Sequence, residues 1–313
     1  MSEAIEGRRA LEVILAKPRG FCAGVERAIE IVERLLKKVG APLYVHHDIV
    51  HNKVVVDSLK ERGCIFVEDV NLIPIGSYVV FSAHGVSEKV ELDSEKRGLI
   101  KVDATCPLVK KVHNEVINYS RHGREILLIG HAGHPEVIGT MGRAPGIRLI
   151  QNVEDAHKVE MGADVAYVTQ TTLSIDETAE IIDVLKARNS DILHQSGEDI
   201  CYATQNRQNA AKAIIGEVDM LFVIGSKNSS NSNRLAELGL RNGIRSYLID
   251  GKEDIDINWL YNVTKLGITS GASAPESIVE DILGFLQMNF DIKLSESTFI
   301  NENISFKLPG EIR

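Results

Sequence analysis

Short apolar runs alternate along the chain with longer stretches whose apolar residues recur every three to four positions. LEVILA (11–16) is the first run. A glycine-rich turn, PRGFCAG, follows it, and then VERAIEIVERLLKKVG, which has helical spacing and a glycine stop. The same order returns in LIKVDATCPLVKKVHNEVINYSRHG (99–123), where Pro107 suits a first helical turn, and again in DILHQSGEDICYATQNRQNAAKAIIGEV (191–218). After each comes a second strand and polar loop: PLYVHHDIVHNK, EILLIGHAGHPE and MLFVIGSKNSSNSN. A third strand and loop closes each unit: SYVVFSAHGVS, VAYVTQTTLS and KLGITSGASAPE. The strand runs are apolar on both faces, as expected of parallel strands covered by helices.

The pattern predicts an α/β protein of three units, roughly 90 residues each, with every polar loop following a strand. In parallel sheets ligands bind beyond the carboxyl ends of the strands. If the units face one another around a pseudo-threefold axis, the three cysteines and the polar loops converge at the centre of three parallel sheets. The expected boundaries are an N-terminal extension at 1–10, a first strand and Cys22 loop at 11–23 that completes the third unit, and units at 24–106, 107–197 and 198–290. A tail, 291–313, lies outside the repeat.

Composition narrows the function classes. The chain of 313 residues carries a formal net charge of −9, which argues against a broad nucleic-acid footprint. No apolar run approaches membrane-spanning length, and MSEAIEGRRALEV has no signal-peptide core. Four cysteines in such a length do not make a disulfide scaffold, so a reducing, cytoplasmic setting is expected.

Three of those cysteines, Cys22, Cys106 and Cys201, occupy equivalent positions, each just before a helix. A lone cysteine is ordinarily a small buried hydrophobe, and Cys64, at the start of a strand, reads that way. Three convergent thiols suit zinc or an iron–sulfur cluster. Zinc structural sites favour local pairs and four protein ligands; here the spacings are 84 and 95 residues, with no fourth cysteine in a suitable loop. A cubane with one iron lacking a cysteine ligand fits that spacing, and a three-cysteine, one-histidine zinc site stays open beside it. Helix N-termini after each cysteine would favour the cluster's negative charge.

The other loops offer anion and proton chemistry. KNSSNSN sets hydroxyl and amide side chains ahead of a helix, a place for phosphate oxygens as well as an ordinary capping loop. His51, His84 and Ser273, in corresponding loops, tilt it towards a phosphate or diphosphate. Glu136 is the carboxylate best placed to carry a proton, Asp103 less so; its bland role is to complement a helix dipole. Thr171 and Thr172 could hydrogen-bond a substrate hydroxyl or simply end a strand.

PRGFCAGVERAI, HHDIVHN, FSAHGVS, DATCPLV, GHAGHPEVIGTMG, TQTTLS, DICYATQNRQ, VIGSKNSSNSNRL and TSGASAP together resemble the IspH or LytB family, the 4-hydroxy-3-methylbut-2-enyl diphosphate reductases. The likeness runs from about residue 11 to 310. It implies a trefoil fold and a [4Fe-4S] cluster on Cys22, Cys106 and Cys201, with one open iron for the substrate's hydroxyl. It implies diphosphate ligands at His51, His84, His134, Ser229, Ser230, Asn231 and Ser273, a proton-delivering Glu136, and a substrate-positioning Thr171 with Thr172 beside it. The implied reaction is reductive dehydroxylation to isopentenyl and dimethylallyl diphosphates, the last step of the non-mevalonate pathway. A ferredoxin or flavodoxin would supply electrons. Rival readings are a quinolinate-synthase-like cluster enzyme, which would need a dicarboxylate site, and a zinc-stabilised binding module without catalysis.

Overall fold

The computed structural model describes residues 8–194 and 199–312. Most of the extension expected at 1–10 and the QSGE stretch, 195–198, before Cys201 lie outside the described residues. The elements run β1 (Ala10–Lys17), α1 (Ala23–Val39), β2 (Leu43–His46), α2 (Lys53–Glu61), β3 (Cys64–Val67), β4 (Tyr78–Phe81), α3 (Glu88–Lys96), β5 (Ile100–Asp103) and α4 (Pro107–Arg121). They continue with β6 (Glu125–Ile129), α5 (Pro135–Met141), β7 (Arg148–Ile150), α6 (Val153–Lys158), β8 (Val165–Thr169), α7 (Ile175–Arg188) and α8 (Tyr202–Ile215). The last are β9 (Met220–Ile224), α9 (Ser230–Arg241), β10 (Arg245–Ile249), β11 (Lys265–Ser270), α10 (Glu276–Asn289) and β12 (Asp291–Thr298).

Three parallel sheets result, ordered β3-β2-β4-β5, β7-β6-β8 and β10-β9-β11-β1-β12. The chain forms two compact units. The larger comprises Cys22–Tyr202 with Ile304–Arg313 and holds the four- and three-stranded sheets; the smaller comprises Met1–Phe21 with Ala203–Asn303 and holds the five-stranded one. Two of the expected repeats, 24–106 and 107–197, are therefore packed as one body.

Both faces of the sheets are covered, which explains the continuous apolar runs. In the smaller unit, Val13, Leu15, Phe222 and Ile268 pack beneath α10, while Ile14, Ala16, Leu221 and Val223 pack beneath α8 and α9. In the larger unit, Leu127 and Ile129 face the cluster containing Ile181 and Leu185 of α7, and Ile126 and Leu128 face Val112 and Val116 of α4. Helix α1 follows the same logic: Ala28, Ile31, Val32 and Leu35 make one fully buried stripe at helical spacing.

Two expectations change. The segment set aside as a tail supplies β12, paired residue for residue with β1 from Ala10↔Asp291 to Lys17↔Thr298. Its side chains are mostly exposed, so it is an edge strand held by backbone bonds and has no apolar run to reveal it. The strand expected at DILH is reduced to a single bridge, Ala166↔Leu193, beside β8.

Strand register aligns the polar loops in pairs. His46↔Phe81 sets the loop after β2 beside the loop after β4. Ile129↔Thr169 does so after β6 and β8, and Ile224↔Ser270 after β9 and β11.

Candidate functional site

Cys22 and Cys106 are the N-cap residues of α1 and α4, and Cys201 directly precedes α8. None is in a disulfide, and all three are half-buried. Burial pushes the Cys106 thiol up to about 12, and Cys22 and Cys201 add to that shift, while the amides of Leu108 and Val109 at the head of α4 oppose it. The three sulfurs are thus electrostatic neighbours within the larger unit. Space is kept for them by Gly24: a Cβ there would stand 2.8 Å from Cys106 Sγ and 3.7 Å from Cys22 Sγ. A cradle of three thiols at helix N-termini, cleared by a glycine, suits a sulfur-ligated, negatively charged centre. No three His, Cys, Asp or Glu side chains among the described residues close round a single metal ion. Cys64 is separate; it is buried at the start of β3, the end of the sheet opposite the loops, and burial raises its pKa.

Four histidines form a nest on the neighbouring loops. His51 and His84 stack with ring centroids 4.0 Å apart. His134 stands edge-on to both, at 5.2 and 5.9 Å, and His47 lies 6.1 and 5.8 Å from the first two. Burial, reinforced by the neighbouring imidazoles, lowers His51 to about 3, His134 to about 4 and His84 well below the usual range. The rings of His51, His84 and His134 are therefore neutral. His134 caps α5, its Nδ1 accepting from the Glu136 amide at 3.2 Å, which leaves the proton on Nε2. A nest of neutral imidazoles is poised for an anion, whose charge would restore their basicity.

Glu136 is buried, 3% exposed. Its Oε1 accepts from the Thr171 amide at 2.6 Å and its Oε2 from the Thr171 hydroxyl at 3.0 Å. Burial raises its pKa to about 7, against the two Thr171 bonds, with Asp199 adding to the rise. The Thr171 carbonyl in turn accepts from the Cys201 amide at 3.0 Å. The carboxyl group that holds a proton near neutrality is thus one residue removed from a thiol. Thr172 Oγ1 accepts from Gln170 Nε2 at 3.0 Å.

The remaining candidates belong to the smaller unit. Ser229 caps α9, accepting from the Ser232 amide; Ser230 and Asn231 are buried in the first turn of α9, and Ser273 is buried on the loop after β11, which register sets beside the loop after β9. Both Asn231 amide atoms are buried without a hydrogen-bond partner. Leaving such a group unsatisfied costs about 1–3 kcal/mol, which a polar ligand would relieve. Gly225 and Gly271 permit the tight loop: a Cβ on either would fall 2.2 or 2.1 Å from Ser232 Oγ.

The sequence reading missed several buried polar groups. Gln170 Oε1 accepts from the His131 amide at 3.0 Å, tying the loops after β6 and β8. Asp199 Oδ2 accepts from the Thr169 amide at 2.9 Å, and Lys111 bridges Asp199 and Glu115. Burial beside Asp199 raises Glu115 to about 7. Only their nearness to Cys106, Cys201 and the TQTT motif could have flagged them.

Comparison with known proteins sharpens this picture. Residues 13–287 match the family described as LytB protein. A 4-hydroxy-3-methylbut-2-enyl diphosphate reductase of Phenylobacterium zucineum is 53% identical over 306 residues, covering 96% of this chain and 98% of that protein. One from Serratia proteamaculans is 49% identical over 97% of this chain and 98% of its own. Among solved structures, the E-1-hydroxy-2-methyl-but-2-enyl-4-diphosphate reductase of Plasmodium falciparum superposes with a TM-score of 0.91 at 38% identity, over 98% of this chain and 97% of that one. A second, described as the terminal enzyme of the non-mevalonate pathway, gives 0.63 at 33% identity, over 89% of this chain and 99% of its own.

Proposed function

The chain belongs to the LytB family, and from that premise we propose that it is a 4-hydroxy-3-methylbut-2-enyl diphosphate reductase, the terminal enzyme of the non-mevalonate pathway. The reaction adds two electrons and two protons, breaks the allylic C–O bond and releases water. Isopentenyl and dimethylallyl diphosphates are the products. A four-iron cluster held by Cys22, Cys106 and Cys201 would supply electrons and, at an iron without a cysteine ligand, a Lewis acid for the hydroxyl oxygen. A ferredoxin or flavodoxin would deliver the electrons, in the cytoplasm.

The chain's own residues bind, orient and protonate. His51, His84 and His134 take the diphosphate, becoming charged donors as the anion enters their nest. Ser229, Ser230, Asn231 and Ser273 are assigned to the diphosphate as well, on the strength of their buried, hydroxyl- and amide-rich loops. Anchoring the diphosphate fixes where the far end of a five-carbon chain can reach, and proximity lowers the barrier. Glu136 delivers a proton to the departing oxygen, and Thr171 holds both carboxyl oxygens in place for that transfer. Thr172 orients the hydroxyl beside it.

The observation that carries this reading is the Glu136 carboxyl group, raised to about 7 and bonded through Thr171 to the backbone of Cys201. The test is iron and acid-labile sulfide per chain after anaerobic purification, followed by turnover of the hydroxylated diphosphate with a chemical reductant. Iron with sulfide and turnover support it. Zinc without sulfide overturns it.

A further inference from the structure

Each of the three cysteine-bearing helices carries a basic side chain at its second turn. Arg27 lies five residues after Cys22, Lys111 five after Cys106, and Arg207 six after Cys201. Arg27 Nη1 donates to the carbonyls of Ala104 and Thr105 at 3.3 and 3.2 Å, the two residues before Cys106. Lys111 Nζ donates to Asp199 Oδ1 at 3.2 Å, two residues before Cys201. Arg207 donates to the carbonyl of Gly20 at 2.7 and 3.1 Å and of Phe21 at 3.3 Å, the two residues before Cys22. The three contacts form a cyclic set: the helix that follows one cysteine grips the loop that precedes the next.

Arg27 is the most telling member. It is 7% exposed, and its three acceptors are peptide carbonyls, the third being Lys307 at 2.9 Å. The carboxylate within its electrostatic reach, Asp103, is engaged by Lys110 at 2.5 Å and the Thr105 amide at 2.8 Å. A buried cation without a carboxylate of its own is unfavourable unless another negative charge compensates it. The guanidinium lies within electrostatic reach of Cys106, so the anionic centre on the cysteines supplies that charge. Arg207, fully buried, has Glu302 as its partner at 3.2 Å.

We infer that Arg27, Lys111 and Arg207 are positioning residues for the cluster, each latching the loop ahead of one cysteine, and that the unpaired Arg27 charge raises the cluster's reduction potential. The inference rests on the cluster reading of the preceding subsection. It assigns the helices a task beyond their N-terminal dipoles: the cation locks the approach of the chain to the sulfur, as outer-sphere groups do at other metal sites.

The test uses anaerobically purified, iron-loaded protein and two readouts other than turnover: the midpoint potential of the cluster and the rate of iron loss to a chelator. Arg27→Gln should lose iron at least tenfold faster and shift the midpoint negative by about 59 mV, the one-electron equivalent of a factor of ten. Arg27→Lys should restore the potential while still losing iron quickly, because an ammonium cannot reproduce the fork to three carbonyls. Lys111→Gln, at a partly exposed side chain, keeps the test open should Arg27→Gln fail to fold; it too should speed iron loss. Lys37→Gln, exposed on the same helix as Arg27, is the control and should change neither readout. A fall in melting temperature with unchanged potential and iron retention overturns the inference. A parent protein without iron overturns both it and the cluster reading, whereas an iron-loaded parent with unaltered variants overturns this inference alone.

Discussion

A carboxylic acid that must give up a proton at neutral pH has to be kept from ionising first, and burial would fit Glu136 for that proposed role. Glu136→Gln preserves shape and size but holds no transferable proton. Iron content should match the parent, and turnover should fall by about 10²–10⁴, the usual worth of a positioned acid; near-normal turnover would remove the proton role. In the parent, turnover should decline above pH 7 as Glu136 ionises, read from the pH profile of kcat. Gly24 gives a sharper contrast. Alanine is the better helix former by about 1 kcal/mol in a helix interior, a gain that offsets only part of what crowding costs the apo-protein in Gly24→Ala. Its Cβ would crowd Cys106 Sγ, and iron per chain should drop. Cys64→Ala should spare the iron: a small loss of stability from the cavity it opens, with iron content unchanged.

At the scale of elements, the histidine nest is assembled by register rather than by any one loop. His51 follows β2 and His84 follows β4, and their rings stack because the ends of β2 and β4 are level, while His134, at the head of α5, meets both edge-on. Neutral rings that become charged on binding make affinity depend on pH in a definite direction. Inorganic diphosphate should bind more tightly at pH 6 than at pH 8 and take up protons as it does, measured by calorimetry in buffers of different ionisation enthalpy. His84→Ala should weaken binding by about 1.5–3 kcal/mol and reduce that uptake. The individual histidines were legible in the sequence because each follows an apolar strand run. The 4.0 Å stack was not, since ring geometry depends on a register that periodicity leaves undetermined. Arg27 and Arg207 were hidden for a related reason: on a helical wheel a basic residue reads as solvated, and only the neighbouring loop's carbonyls justify its burial.

Across the whole molecule, the buried titratable groups act on stability with opposite signs. His51, His84, His113 and His134 are lowered, so between their folded values and 6.5 the unfolded chain binds protons that the folded chain refuses. Glu115 and Glu136, raised to about 7, do the opposite between 4.5 and 7. The histidines outnumber the glutamates, so the ligand-free protein should lose stability on acidification from pH 6.5 to 5, by on the order of 1–3 kcal/mol per pH unit. A melting temperature that rises over that interval would contradict the assignment. The parallel strand–loop–helix grammar was readable from apolar runs and glycines. Strand β12 was not, because its polar residues earn their place only through pairing with β1.

That pairing bears on how the protein is made. Strand β1 emerges first from the ribosome, yet its two neighbours are β11 and β12. Some 250 residues separate Lys17 from Lys265. At about 5–20 residues per second, the opening strand waits on the order of ten seconds or more for its first partner. Cys22 hangs directly from that waiting strand. On the proposed reading, Cys22 would reach its final place beside the other two cysteines only once β11 and β12 are made, so delivery of iron and sulfide would follow the synthesis of the last strands.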